Sequence, residues 1–163
     1  MNLEQPVIRI SVRNLVEFIL RSGDIDNRIA ATDKDTMQLG SRIHRKIQKQ
    51  MGSDYHAEVP LKYEIPCNGL ILKLEGRADG IIELPEGIVI DEIKGVLRDL
   101  NQIREPVPVH LAQAMCYAYI YTVSHNLQEI GVQMTYCNME TEEIKRFQSG
   151  YTLEDLERWF YDL

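Results

Sequence analysis

Cysteine is scarce in this 163-residue chain: only Cys67, Cys116 and Cys137 are present. The number is odd and no C-x-x-C occurs, which argues against a disulfide framework and a zinc ribbon. Such usage fits a reducing, cytoplasmic setting, with each thiol expected to act as a small buried apolar side chain. No apolar run approaches about 20 residues, so no membrane-spanning helix is expected. The first ten residues, MNLEQPVIRI, lack a basic segment followed by an apolar one, the mark of a secretory signal. There is no G-x-x-x-x-G-K-[ST], so any motor acting with this chain lies outside it. Positive charge is not in excess either. The net charge of −7 disfavours clamping nucleic acid by charge alone. A bound cation inverts that local electrostatic logic.

What remains is an ordinary globular composition, 44% apolar and 26% charged, without repeats or low-complexity tracts. The length suits one domain over residues 1–163. ISVRNLVEFILRSGD reads as a helix with Ser11 as N-cap, an apolar face of Leu15, Ile19 and either Val16 or Phe18, and Gly23 as its end. DNRIAATDKDTMQLG reads as a loop leading into a second helix over about 36–51, with Leu39, Ile43 and Ile47 spaced by four. AEVPLKYEI, GLILKLEGRADGIIEL and GIVIDEIK read as strands, the last two joined at the turn LPEG. PVHLAQAMCYAYIYTVSH is apolar on nearly every side and reads as a buried helix. EIGVQMTYCN and TEEIKRFQS follow as a hairpin turning at NMET. TLEDLERWFYDL is a helix with a capping box of Thr152 and Asp155. The expected order is α-α-β-β-β-α-β-β-α: an α/β domain, a mixed central sheet flanked by helices. The chain stops inside an apolar-rich helix, which suggests a piece of a larger protein.

The stretch GIVIDEIKG puts Asp91, Glu92 and Lys94 at the end of an apolar strand. Alternation sends Glu92 and Lys94 to one face with Ile90, and Asp91 and Ile93 to the other. Buried charge is expensive unless paired or bound to a metal. On the neighbouring strand, GRADG offers Asp79, with Gly76 and Gly80 leaving room around it. Two carboxylates brought together repel unless a cation sits between them, and carboxylate oxygens suit Mg²⁺ or Mn²⁺. A Lys beside such an ion can hold a water, as metal-assisted phosphodiester hydrolysis requires. The competing reading of this stretch is a salt bridge at a strand end. Upstream, GSRIHRKI places His44 on a helix, as a metal ligand or a structural imidazole. Downstream, His110, Gln113 and Tyr117 fall on one helix face, as a site ridge or a buried hydrogen-bond network.

The ordered set of His44, GRADG with Asp79, EIK with Glu92 and Lys94, and QAMCY with Gln113 and Tyr117 resembles the RecB-like branch of the PD-(D/E)XK nucleases. The similarity spans residues 40–121, about half the chain. It implies a restriction-endonuclease-like core and metal-dependent exonuclease-like hydrolysis of DNA in repair or recombination. It further implies Asp79, Glu92, His44 and the Ile93 carbonyl as ligands of Mg²⁺ or Mn²⁺. Lys94 would position water and stabilise developing charge, with Gln113 and Tyr117 orienting Lys94 and the DNA backbone. His110 shares their face, and the resemblance gives it no role. Iron–sulfur relatives carry four clustered cysteines, a set that three scattered ones do not supply, so no iron–sulfur cluster is expected. The implied partners are DNA and a helicase domain or subunit. The alternative is a catalytically inactive nuclease-like module that binds DNA or a partner.

Overall fold

The computed structural model of the protein describes residues 5–20 and 34–163. β3 (Leu70–Leu84) organises a mixed six-stranded sheet because both of its edges are used. Along one edge it pairs antiparallel with β2 (Tyr55–Cys67), from Leu70 to Ile82. The joining turn is Asn68-Gly69, with φ of 47° and 82°, the left-handed pair that a two-residue type I′ hairpin needs. Pro60 and Pro66 are tolerated in β2 because it is an edge strand.

The other edge of β3 is shared by two strands. β1 (Val7–Ser11) runs parallel to residues 71–75, and β4 (Gly87–Val96) runs antiparallel to residues 80–84. Between them the edge from Gly76 to Asp79 has no strand partner, so the sheet is split there. β5 (Glu129–Asn138) continues the sheet parallel to β4, and β6 (Ile144–Thr152) closes it antiparallel to β5.

α3 (Pro108–Ser124) is buried continuously from Ala112 to Thr122 and packs on one face of the sheet. α1 (Val12–Leu20) and α4 (Leu153–Tyr161) pack against α3. α2 (Lys34–Gln50) lies on the opposite face, where Ile43 and Ile47 meet Ile93 and Cys137. None of the described helices is long and apolar enough to cross a membrane.

The expected α/β architecture, the LPEG hairpin and the β5–β6 hairpin are present. The Thr152–Asp155 capping box is formed in both directions. One strand escaped the sequence reading. The expected order began with a helix, whereas β1 precedes it and makes the sheet six-stranded. Ser11 ends β1, and its hydroxyl also accepts the Asn14 amide at 3.0 Å, so one residue serves strand and N-cap together. On α1 it is Val16 that is buried, while Phe18 is 77% exposed. The second helix starts at Lys34 and ends at Gln50. The expected helix end at Gly23, the loop preceding Lys34 and the Leu39 side chain lie outside what is described. Cys116 and Cys137 are buried as expected, but Cys67 is exposed, because the β2–β3 turn carries it to the sheet margin.

Candidate active site

Along β4, Ile90 joins the core beneath α3, and Lys94 reaches the α3 residue Gln113. Ile93 packs against α2, and Asp91 faces the same way as Ile93. The alternation read from GIVIDEIKG therefore holds, and Glu92 lies under α3. β3 behaves differently. Ala78 and Ile81, three residues apart, both enter the core under α3, which strict alternation forbids. The slip falls at Asp79, across from Glu58, whose φ is 56°. The register is the same before and after this point, so both strands carry the irregularity together. As with a bulge, the effect is to re-aim one side chain. Asp79 turns edgewise into the split, where its Oδ2 accepts the Ile93 amide at 2.7 Å. A carboxylate thus takes the place of the missing ladder carbonyl.

The N–H and C=O of one strand residue leave on the same edge, so the Ile93 carbonyl also faces the split. His44 comes from α2 on the far face, with Nδ1 3.5 Å from Asp79 Oδ1. Gln48, one turn further along α2, donates to the Asp79 carbonyl at 2.8 Å and to Glu58 at 3.0 Å. It holds both irregular residues. Its i+4 spacing from His44 was the available signal for it, and the sequence reading did not use it.

Glu92 is 2% exposed. Its Oε1 lies 3.5 Å from Lys94 Nζ. Its Oε2 is buried with no hydrogen-bond partner, alone among the buried side-chain oxygens and nitrogens of the described residues. Burial first, and the nearby Asp79 carboxylate second, push the Glu92 carboxyl well above its ordinary 4.5, with Lys94 opposing. Asp79 moves the other way. Burial alone raises it, but His44, the Ile93 amide and Glu92 together hold it below 3.8. Two neighbouring carboxyl groups are thereby pushed apart, a pattern found where acids have different tasks.

Lys94 Nζ donates to Gln113 Oε1 at 3.1 Å, and Gln113 Nε2 donates to the Tyr117 hydroxyl at 3.2 Å. Burial lifts the Tyr117 phenol to about 12, so it stays a neutral hydroxyl. Gly76 makes this possible, since a Cβ there would stand 2.5 Å from the Tyr117 ring. Gly80 has a separate purpose on the other face. There the Tyr55 ring crosses it, and a Cβ would lie 1.9 Å away. The two glycines make room for aromatic rings, not for Asp79 alone.

The crossing lets Tyr55 donate to Asp91 Oδ2 at 2.7 Å. Thr135 and Gln133 donate to Asp91 Oδ1 at 2.6 and 3.2 Å. Asp91 is therefore a buried, fully partnered carboxylate that ties β2 and β5 to β4. The competing salt-bridge reading offered Lys94 to Asp91 or Glu92; Lys94 stands beside Glu92, and Asp91 is bonded by Tyr55, Thr135 and Gln133 instead. His110 also departs from the ridge in its bonding: its Nδ1 meets the Tyr136 hydroxyl at 3.0 Å.

The split thus gathers His44, Asp79, Glu92, Ile93, Lys94, Gln113 and Tyr117 from both faces of the sheet. Among the described residues, no three His, Cys, Asp or Glu side chains already form a ready metal-binding group. The donors stand as pairs, His44 with Asp79 and Asp79 beside Glu92. The orphaned Glu92 Oε2 and the hard oxygens of this set fit a divalent cation.

No protein-family model matches the chain. No curated protein matches it. A solved structure described as "Crystal structure of SSO0001" is similar, with a TM-score of 0.64, 20% identity, and coverage of 99% of this chain and 76% of that one. That likeness shows the fold alone: an α/β architecture with a mixed sheet.

Proposed function

We propose that this chain is a divalent-metal-dependent nuclease that hydrolyses phosphodiester bonds of DNA at the split in its sheet. The observation that carries the reading is Glu92. A carboxylate sunk to 2% exposure with one oxygen unpartnered, beside a second carboxylate, is a poor structural choice. It is a good choice for holding a cation. Asp79, Glu92, His44 and the Ile93 carbonyl would hold Mg²⁺ or Mn²⁺. Bound there, the ion would cancel the repulsion between the carboxylates and supply the Lewis acidity and positive charge that a phosphodiester needs.

The chain's own residues do the rest. Asp79 is fixed by the Ile93 amide, and Gln48 fixes the backbone behind it. Lys94 hangs from Gln113, with Glu92 alongside, so its ammonium has one orientation toward the split. It can hold the attacking water and offset charge building on the phosphate. Tyr117 and Gln113 hold Lys94 in register. The net charge of −7 is no obstacle, because a bound divalent ion would invert the local electrostatics at this point.

The test is cleavage of end-labelled DNA with Mg²⁺ or Mn²⁺, together with calorimetric melting with and without Mn²⁺. Cleavage is expected to vanish with chelator, and metal is expected to raise the melting temperature. Lys94→Ala should abolish cleavage and keep the metal-induced stabilisation, whereas Glu92→Ala should lose both. Chelator-resistant cleavage, or an active Lys94→Ala protein, would refute these roles. Metal binding without any cleavage would identify a non-catalytic nuclease-like module instead.

A further inference from the structure

His110 sits in the first turn of α3, one turn before Gln113 on the same face, and resemblance assigned it nothing. Its surroundings fix its chemistry. The Tyr136 side chain is fully buried. Its hydroxyl oxygen accepts the Val107 amide at 2.9 Å. A buried hydroxyl hydrogen left unpaired is costly, and among the described residues the acceptor within reach is His110 Nδ1, at 3.0 Å. Tyr136 therefore donates to Nδ1, and the ring proton is left on Nε2.

Nε2 has no partner among the described residues. It is also not a fully buried orphan, a condition that only Glu92 Oε2 meets among them. It therefore reaches solvent, although most of the imidazole is covered. Burial first, then the positive charges of Lys94, Arg98 and Arg13, push its pKa down to about 3. The ring stays neutral across any ordinary working pH. A locked, neutral N–H donor thus stands in the positive field of the candidate catalytic Lys94, of Arg98 and of Arg13, the last of these paired with Glu17.

We propose that His110 Nε2–H donates a hydrogen bond to a non-bridging phosphate oxygen of a nucleic-acid strand lying along the split. This rests on the nuclease reading and names a strand contact within it. Neutrality matters chemically. A protonated imidazole beside Lys94 would repel it, whereas a neutral donor adds a directed bond without doing so. Tyr136 acts as a positioning residue, because it selects which ring nitrogen carries the proton.

The experiment uses the full chain and a fluorescent single-stranded oligonucleotide, with Ca²⁺ replacing Mg²⁺ so that binding is read without cleavage. His110→Ala should raise the dissociation constant about tenfold, the scale expected for a bond to a charged oxygen. The Mn²⁺-induced shift in melting temperature should be unchanged. His110→Gln, which keeps a neutral donor, should restore part of the affinity. Nitrogen NMR of the wild-type ring should show protonation at Nε2 from pH 5 to pH 9, with the N–H resonance moving when the oligonucleotide is added. Wild-type binding with His110→Ala and His110→Gln both unaltered overturns this inference and leaves the nuclease reading standing. So does a ring protonated at Nδ1. If the wild-type protein binds no oligonucleotide and cuts none, both readings fall.

Discussion

Replacing Glu92 with Gln separates a structural carboxylate from one kept for its charge. In the wild-type protein without metal, Glu92 is buried and Oε2 has no partner. The Asp79 carboxylate is near enough to push the Glu92 carboxyl upward, and two ionised carboxylates have no proton to share. An amide removes the repulsion and can donate to Asp79. Its carbonyl can still accept from Lys94, now 3.5 Å from Glu92 Oε1. An unsatisfied buried polar group costs about 1–3 kcal/mol, and more when charged, while the weakened Lys94 pair returns part of this. The net gain for Glu92→Gln is then about 1–2 kcal/mol. For a chain of this size that is a rise in melting temperature of about 2–8 °C.

The gain should depend on pH in one direction. Glu92 has its proton affinity raised by folding. It stabilises the fold fully below its ordinary value of 4.5, and that contribution is lost as pH climbs through the higher folded value. Gln does not titrate. The difference between variant and wild type should therefore be small near pH 4.5 and grow toward pH 8. The assay is thermal unfolding by circular dichroism in chelator at both pH values, then at pH 8 with Mn²⁺. With metal the order should reverse, because wild type gains the ion and the variant loses a ligand. A variant less stable than wild type at pH 8 in chelator would mean that the Glu92–Lys94 pair is a net structural asset, and the metal argument would lose its main support.

Gly76→Ala places a Cβ 2.5 Å from the Tyr117 ring, so Tyr117 must move and Gln113 loses the hydroxyl that anchors its amide nitrogen. Stability should fall by about 1–3 kcal/mol and cleavage by about a hundredfold, measured as melting temperature and kcat; unchanged cleavage would show that Tyr117 does not position Lys94. Metal binding should release protons at pH values below the raised Glu92 pKa, because the ligand must be ionised. Titration calorimetry in buffers of different ionisation enthalpy checks this, and heats independent of buffer would exclude Glu92 as a ligand.

The chemistry in this chain was legible where it obeyed a period. GIVIDEIKG announces a strand because period-two alternation sorts Glu92 and Lys94 from Asp91 and Ile93, but the charges do not end it: β4 continues to Val96. The α3 ridge was legible because 113 and 117 share a helical face. What stayed hidden breaks a period or spans distance. β1 is five residues long, with Val7 and Ile8 half exposed, so it presents little burial pattern. The slip at Asp79 depends on Glu58 in a left-handed conformation, for which Glu has no preference that a reader could use. Tyr136 and His110 are 26 residues apart on different elements, and only the packing of α3 over β5 joins them.

The same slip explains why the candidate site lies where it does. In a regular ladder Asp79 would follow the alternation and its backbone would pair with β4. With one irregular residue on each of β2 and β3, the faces of both strands invert and the register survives. β4 can then bond to residues 80–84 while β1 bonds to residues 71–75, and the edge between them stays unpaired. An unpaired edge inside a sheet exposes backbone groups that must be satisfied. Here Asp79 satisfies the Ile93 amide with its side chain, and Gln48 satisfies the Asp79 carbonyl from α2. The residues that repair the gap are therefore the same residues that line it. Changing Asp79 removes a proposed ligand and the support of Ile93 together, so its mutants cannot separate catalysis from stability. Lys94 and His110 repair nothing in the sheet, which makes them the cleaner probes of what the split is for.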